Sequence, residues 1–256
     1  MTIPLIIHQI WWQGEHNISS IHNNYRKTWK QNHPKWKIIL WDKIRFEKLL
    51  KNIDNIFYFY LYQTLPYRIQ KIDFAKYIIL YIYGGIYTDI DTICEKSLDF
   101  IIKKYNYNLI VSKVVVYKFI NYNLINNGVI ITSKNNVFFN YLFLEIYKNL
   151  VKKFYYTKDY YIIVSTGPIC FTNAVINYVK DKNTNIKILE DIYFEPCHIT
   201  DLNRYSIKGK YITHLHNSSW SSSLFKMHFN VIHLYINYKI YIIIILLFFF
   251  IILMLF

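Results

Sequence analysis

Tyr67-Arg68-Ile69-Gln70-Lys71-Ile72-Asp73-Phe74-Ala75-Lys76-Tyr77 runs on through an apolar stretch to Tyr83, breaks at Gly84-Gly85, and resumes as Ile86-Tyr87-Thr88-Asp89-Ile90-Asp91. Ile69, Ile72, Ala75 or Lys76, Ile79 and Ile82 recur at helical spacing, which predicts a helix over Tyr67–Tyr83. The two glycines predict its end, with a left-handed C-terminal cap. Ile86 to Asp91 then reads as an extended segment. Neighbours i and i+2 share a face of a strand, so the carboxylates of Asp89 and Asp91 are expected to converge. Carboxylate oxygens suit hard cations such as Mg²⁺ and Mn²⁺. Such an ion can bridge two phosphates and neutralise charge on a departing diphosphate.

An Asp-x-Asp pair alone says little, because ten Asp in this length give roughly 0.4 such pairs by chance. Its setting says more. The helix, the Gly-Gly break and a short apolar approach put the pair at the carboxyl end of a strand, where ligands bind in open α/β sheets. Asp73 and Lys76 lie three apart on one face of the preceding helix. They can hold sugar hydroxyls and a phosphate; the plainer alternative is a surface ion pair of little energetic value.

Outward from this core, strands and helices alternate. Ile3–Trp12 and Trp36–Trp41 read as strands. Ser19 or Ser20 can cap a helix to about Lys30, and Asp42 can cap another containing Phe46, Leu49 and Leu50. Further strands are expected over Leu109–Val116, Gly128–Thr132, Ile186–Leu189 and Tyr211–His216. Helices are expected over Val137–Leu150 and from Pro168 toward Val179. The alternation predicts an α/β domain with a mainly parallel sheet.

The stretch from Asp73 to Asp91 resembles the signature of family 32 glycosyltransferases: an acid, two residues, a basic residue and an aromatic, then Gly-Gly-x-Tyr-x-Asp-x-Asp. Other landmarks follow in the family's order. They are Ile3-Pro4 to His8-Gln9-Ile10-Trp11, then Trp29 with Pro34-Lys35-Trp36 and Leu40-Trp41, then Ser165-Thr166-Gly167-Pro168, and finally His214 to Trp220. One position departs: residue 76 is Lys where the family usually has Arg, which keeps the charge and loses the planar fork.

The resemblance implies a GT-A-like, Rossmann-type nucleotide-diphosphosugar transferase, dependent on Mn²⁺ or Mg²⁺ and retaining the anomeric configuration. It implies that Trp11 lies against the nucleotide base or else closes the core. Asp73 would bind donor-sugar hydroxyls, with Lys76 beside it. Asp91 would ligate the metal, and Asp89 would reach the ribose, the sugar or the metal through water. His216, ahead of His214, would add a metal ligand or touch the pyrophosphate. Asn217, Ser219 and Trp220 would close over the diphosphate. The mannosyltransferase branch implies GDP-mannose as donor and a glycan or glycolipid as acceptor; UDP-glucose and UDP-galactose stay open. The resemblance names no catalytic base.

The net charge of +14 suits a phosphate-bearing substrate beside an anionic membrane. The basic residues are scattered and no nucleic-acid-binding signature is present, so a nucleic-acid partner is not expected. Cys94, Cys170 and Cys197 form no CxxC pair, which argues against a disulfide framework or cysteine zinc site. No amino-terminal secretory pattern is visible. Every residue from Ile240 to Phe256 is apolar, counting Tyr241, and these seventeen residues read as a short transmembrane helix behind Lys239. The expected division is a catalytic domain over 1–225, a basic juxtamembrane segment over 226–239 and an anchor over 240–256. Basic residues on the domain side favour a cytosolic catalytic domain. Asn217-Ser218-Ser219, a glycosylation acceptor pattern within the closing segment, points the same way. Two other readings are a non-catalytic relative that binds nucleotide-sugar or glycan, and a basic membrane-associated structural protein.

Overall fold

The computed structural model describes residues 2–114, 124–180, 184–195, 207–215 and 221–223. Its centre is a six-stranded sheet in the order β2-β1-β3-β6-β5-β7. In chain order these strands are β1 (Ile6–Ile10), β2 (Lys37–Trp41), β3 (Gly85–Thr88), β5 (Leu109–Ser112), β6 (Val129–Thr132) and β7 (Ile186–Leu189). β1 pairs in parallel with β2 and β3, and β5 with β7; β6 alone runs against its neighbours β3 and β5. The sheet is thus mainly parallel, as the alternation predicts. A separate antiparallel pair joins β4 (Thr92–Cys94) to β8 (Ile212–His214).

Eight helices among the described residues cover the sheet: α1 (Ser20–Asn32), α2 (Lys43–Ile53), α3 (Ile56–Thr64), α4 (Arg68–Tyr83), α5 (Asp99–Tyr105), α6 (Phe138–Lys148), α7 (Lys158–Ser165) and α8 (Pro168–Val179). The expected caps form. Ser19 Oγ accepts from the His22 amide at 3.4 Å, and Asp42 Oδ1 from the Arg45 amide at 2.8 Å. α3, α5, α7 and the short strand β4 are not anticipated from the sequence. α3 is nearly all aromatic and aliphatic, with no polar face to mark a period, and is capped by Asn55. α5 is a short helix of seven residues.

One core lies between the sheet and α2, α3, α4, α6 and α8; the other lies on the opposite face under α1 and α5. α4 is buried on almost every side, with Phe74, Ala75, Tyr77, Ile78, Ile79 and Leu80 wholly inaccessible. Lys158–Val179 is long and apolar enough by composition to cross a bilayer. It is mostly buried in the fold and split into α7 and α8 at Thr166-Gly167, so here it is a core element. Cys94 and Cys170 are buried and unpaired. Cys197 and residues 224–256, with the expected juxtamembrane segment and tail, lie outside the described residues.

The junction between α4 and β3 departs from expectation in detail. Gly84 has φ 64° and ψ −163°, which is not the left-handed helical cap but an extended region that only glycine enters easily. The chain therefore runs straight into β3. His8 of β1 fixes this junction. Its Nε2 donates to the Gly84 carbonyl at 3.0 Å while its Nδ1 accepts from Trp41 Nε1 at 3.1 Å. Acceptance at Nδ1 requires the neutral ring, with its proton on Nε2.

Burial pulls the His8 pKa down to about 4, with the Gly84 carbonyl opposing the shift. The unfolded ring titrates near 6.5, so between those values the unfolded chain binds more protons than the folded one. Stability contributed by neutral His8 is present above pH 6.5 and is lost as pH falls toward 4, to a total on the order of 3 kcal/mol. Urea unfolding of the wild type is expected to show a steep loss of stability from pH 6.5 to 5. His8→Gln, less stable at pH 7, is expected to show a shallower one. Parallel slopes in the two proteins would assign the acid sensitivity to other groups.

Candidate active site

α4 carries its two charged site residues on a face turned inward. Asp73 and Lys76 are 5% and 3% exposed, and Lys76 Nζ lies 2.7 Å from Asp73 Oδ1. Burial removes the reading of a surface ion pair. A pair this deep costs desolvation, and removing one partner would leave the other charge uncompensated. The surroundings are polar enough to hold it. Thr166 Oγ1 donates to Asp73 Oδ2 at 3.0 Å, and Asn127 Nδ2 lies 3.5 Å from Oδ1. Lys76 Nζ also faces the rings of Tyr87 and Tyr77, at 5.3 and 5.5 Å from their centroids. Burial raises the Asp73 pKa, and Lys76 works against that rise.

Asp89 and Asp91 do converge, but not on an extended strand. β3 ends at Thr88, and Ile90-Asp91 form a turn into β4. The Asp89 amide still donates to the Gly128 carbonyl at 2.9 Å, and Thr92 Oγ1 closes the turn on the Asp89 carbonyl at 2.7 Å. Tyr87, whose hydroxyl donates to Asp89 Oδ1 at 2.7 Å, fixes that carboxylate. The period-two argument therefore gives the right neighbours for the wrong reason: a tight turn, not a pleat, brings the acids together.

β4 positions the next group. Thr92 pairs with His214 across the two-stranded sheet, which sets the imidazole against the turn. His214 Nε2 is 3.3 Å from Asp91 Oδ1 and 3.9 Å from Asp89 Oδ2. One ligand atom from each of Asp89, Asp91 and His214 lies within 4.8 Å of the others. On the far side of the ring, His214 Nδ1 meets Glu195 Oε2 at 3.0 Å. Glu195 is 1% exposed and also accepts from Asn126 Nδ2 at 2.5 Å. Burial lowers the His214 pKa, but Glu195 and Asp91 outweigh it and hold the ring well above its ordinary value. Asp89 is raised chiefly by burial, against Lys76 and His214.

Two carboxylates and an imidazole form a donor set suited to a divalent ion that takes mixed oxygen and nitrogen ligands. The ring's second nitrogen against a buried carboxylate is the usual outer-shell support of a ligating histidine. Four carboxyl groups, Asp73, Asp89, Asp91 and Glu195, stand against Lys76 and the His214 ring, which must give up its proton to serve as a ligand, so added positive charge is accommodated. Gly128 leaves room for this grouping. A Cβ there would lie 2.7 Å from Asp89 Oδ2 and 3.0 Å from His214 Cε1.

Trp11 is half-buried and packs against His22 at 5.1 Å between ring centroids, while its neighbour Trp12 enters the core against Phe46 at 6.0 Å. Trp12 is thus the residue that closes the core. His216, Asn217, Ser219 and Trp220 lie outside the described residues. Of the two histidines, His214 is the one seen beside the acids. The sequence reading did not single out Glu195, Asn126, Asn127 or Gly128. Thr166 lay within a landmark but carried no role. Nothing in the spacing of Glu195 marks it, because it reaches the site through the fold alone.

Residues 19–108 match the family model described as the glycosyltransferase sugar-binding region containing the DXD motif. The chain is 34% identical over 226 residues to an uncharacterized glycosyltransferase of Acanthamoeba polyphaga mimivirus, covering 87% of this chain and 85% of that one. It is 28% identical to inositol phosphoceramide mannosyltransferase 1 of Schizosaccharomyces pombe, covering 75% of this chain and 57% of the relative's length. The initiation-specific alpha-1,6-mannosyltransferase of Candida albicans is 33% identical over 102 residues, 38% of this chain and 26% of that protein. Among solved structures, the PaToxG glycosyltransferase aligns over 70% of each chain with a TM-score of 0.53 and 18% identity, a likeness of fold. With a buried acid–lysine pair, an Asp-x-Asp turn and a mainly parallel GT-A-like sheet, the chain belongs to the DXD-containing family 32 glycosyltransferases.

Proposed function

We propose that the chain transfers a hexose from a nucleoside-diphosphate sugar to a glycan or glycolipid, with retention of configuration and with a divalent ion, Mn²⁺ or Mg²⁺. The observation that carries this reading is the meeting of Asp89, Asp91 and His214 within 4.8 Å, beside the buried Asp73–Lys76 pair. GDP-mannose is the favoured donor, because the yeast relatives are named as mannosyltransferases. The name of the Schizosaccharomyces relative supports a membrane glycolipid as acceptor, although this chain spans little more than half of that protein.

In this reading Asp91 and His214 hold the ion, Asp89 completes or orients the set, and Glu195 keeps the His214 ring turned toward it. The ion, when bound, supplies positive charge to the departing diphosphate. Asp73 already accepts bonds from Lys76 and Thr166, and its carboxylate has further lone pairs for donor-sugar hydroxyls. Burial raises the pKa of that carboxylate, and Lys76 opposes the rise. Trp11 lies against the nucleotide base, and Asn217, Ser219 and Trp220, with His216 nearby, close over the diphosphate. Residues 1–225 form the catalytic domain, 226–239 a basic juxtamembrane segment, and 240–256 a membrane anchor with the domain on the cytosolic side. Fractionation of a chain ending at Lys239 tests the anchor, and protease protection in sealed vesicles tests the side.

Purified protein incubated with GDP-mannose, UDP-glucose, UDP-galactose or UDP-N-acetylglucosamine is expected to release nucleoside diphosphate fastest from GDP-mannose, and only with added Mn²⁺ or Mg²⁺. Asp91→Asn keeps shape and removes one ligand charge. It is expected to leave the circular dichroism spectrum unchanged and reduce transfer to background, and wild-type turnover without extra metal would refute the site. Glu195→Gln is expected to weaken Mn²⁺ binding roughly 10–100-fold, the usual effect of losing an outer-shell partner. Unchanged affinity by metal titration would make Glu195 a packing residue only.

A further inference from the structure

α1 packs against β4 but leaves β2, the edge strand of the sheet, partly exposed at Lys37 and Ile38. Between α1 and this edge runs an open groove of about 600 Å³ that includes none of the carboxylates of the candidate active site. One wall is cationic: Arg26, Lys27 and Lys30 line it, and among the described residues no acidic side chain does. Lys27 and Lys30 are exposed and lie three apart, hence on one side of the helix. Arg26 Nη1 pairs with Glu15 at 3.4 Å, while its Nε is buried without a hydrogen-bond partner. The opposite wall is apolar, formed by Pro34, Trp36 and Ile38. Cations facing apolar surface along an open groove suit an amphiphilic anion better than a small hydrated one.

We propose that this groove binds the phosphate-bearing headgroup of an anionic phospholipid at a bilayer surface. The position gives the contact a consequence. On its other side α1 donates from Trp29 Nε1 to the Thr92 carbonyl at 3.2 Å, one residue beyond Asp91. The helix that would rest on the membrane is therefore the helix that buttresses the Asp-x-Asp turn. The proposal does not depend on the donor or on catalysis.

The test compares full-length protein on vesicles of phosphatidylcholine alone and of phosphatidylcholine with equimolar phosphatidylglycerol. Each basic residue at an anionic surface contributes roughly fivefold, so Arg26→Gln/Lys27→Gln/Lys30→Gln is expected to lose about a hundredfold of the preference for the anionic vesicles. Binding to phosphatidylcholine alone is expected to stay the same. Because Arg26 is partly buried, Lys27→Gln/Lys30→Gln serves as a second variant, with an expected loss of roughly thirtyfold. The charge-matched control Lys103→Gln/Lys104→Gln/Lys152→Gln, at exposed sites elsewhere, is expected to keep the preference. Nucleoside-diphosphate binding is expected to be unchanged in all three, which separates this site from the active site. An equal loss in the control would reduce the effect to net charge and overturn the proposal. So would full preference in the double variant, or displacement by inorganic phosphate at matched ionic strength.

Discussion

The chain passes from α4 into β3 through a gap that no side chain could share. A Cβ on Gly84 would lie 2.5 Å from the Lys134 amide nitrogen and 2.9 Å from Pro4 Cδ, and one on Gly85 would fall on the Ile6 carbonyl oxygen. Both residues also have positive φ, 64° and 95°. This double close approach lets β3 slot between β1 and β6 while α4 packs directly beneath it. Asp73 and Lys76 on the helix and Asp89 and Asp91 after the strand are thereby carried to one end of the sheet. A side chain at either glycine would push the helix from the sheet and separate the two halves of the site.

The site combines deep burial with an excess of acid. Asp73 and Asp89 are both raised by desolvation, and each is restrained by the same lysine. Lys76 therefore serves two carboxylates at once. A guanidinium, as the family usually has, would offer a planar fork for that double duty, whereas the lysine reaches one oxygen closely and the tyrosine rings of 77 and 87 flank its ammonium. The other end of the acid cluster is balanced by His214, gripped by Glu195 on one side and Asp91 on the other. The two counter-charges sit on elements far apart in sequence, so neither half of the cluster is balanced by local structure.

What could be read from the sequence was local and periodic. α4 follows from its apolar spacing and its glycine stop, α1 and α2 from their capping residues, and the mainly parallel sheet from alternation. The acids of the candidate site were legible because motif and context coincide. α3 was hidden because every face of it is apolar or aromatic, which erases the period on which such readings depend. The turn at Asp89–Asp91 was misread as strand because a period of two and a tight turn both bring i and i+2 together. Glu195 and Asn126 were invisible because their place is set by long-range packing of a segment without regular structure. The place of His214 beside the acids follows from the pairing of β8 with β4, a contact between segments far apart in the chain that no local pattern announces.

That same pairing has a bearing on how the protein is made. Thr92 and His214 are partners across β4 and β8, and His214 follows Asp91 by 123 positions in the chain. At roughly 5–20 residues per second, a ribosome takes about 6–25 s to cover that distance. For this interval the emerging chain can carry β1, β2, β3 and the Asp-x-Asp turn without the histidine that faces it. Until β8 arrives, β4 lacks the strand it pairs with among the described residues, and the carboxylates lack the imidazole that faces them. The acid cluster is therefore assembled among the last parts of the domain, and a nascent chain interrupted before β8 would hold the sheet's centre without the imidazole of the site.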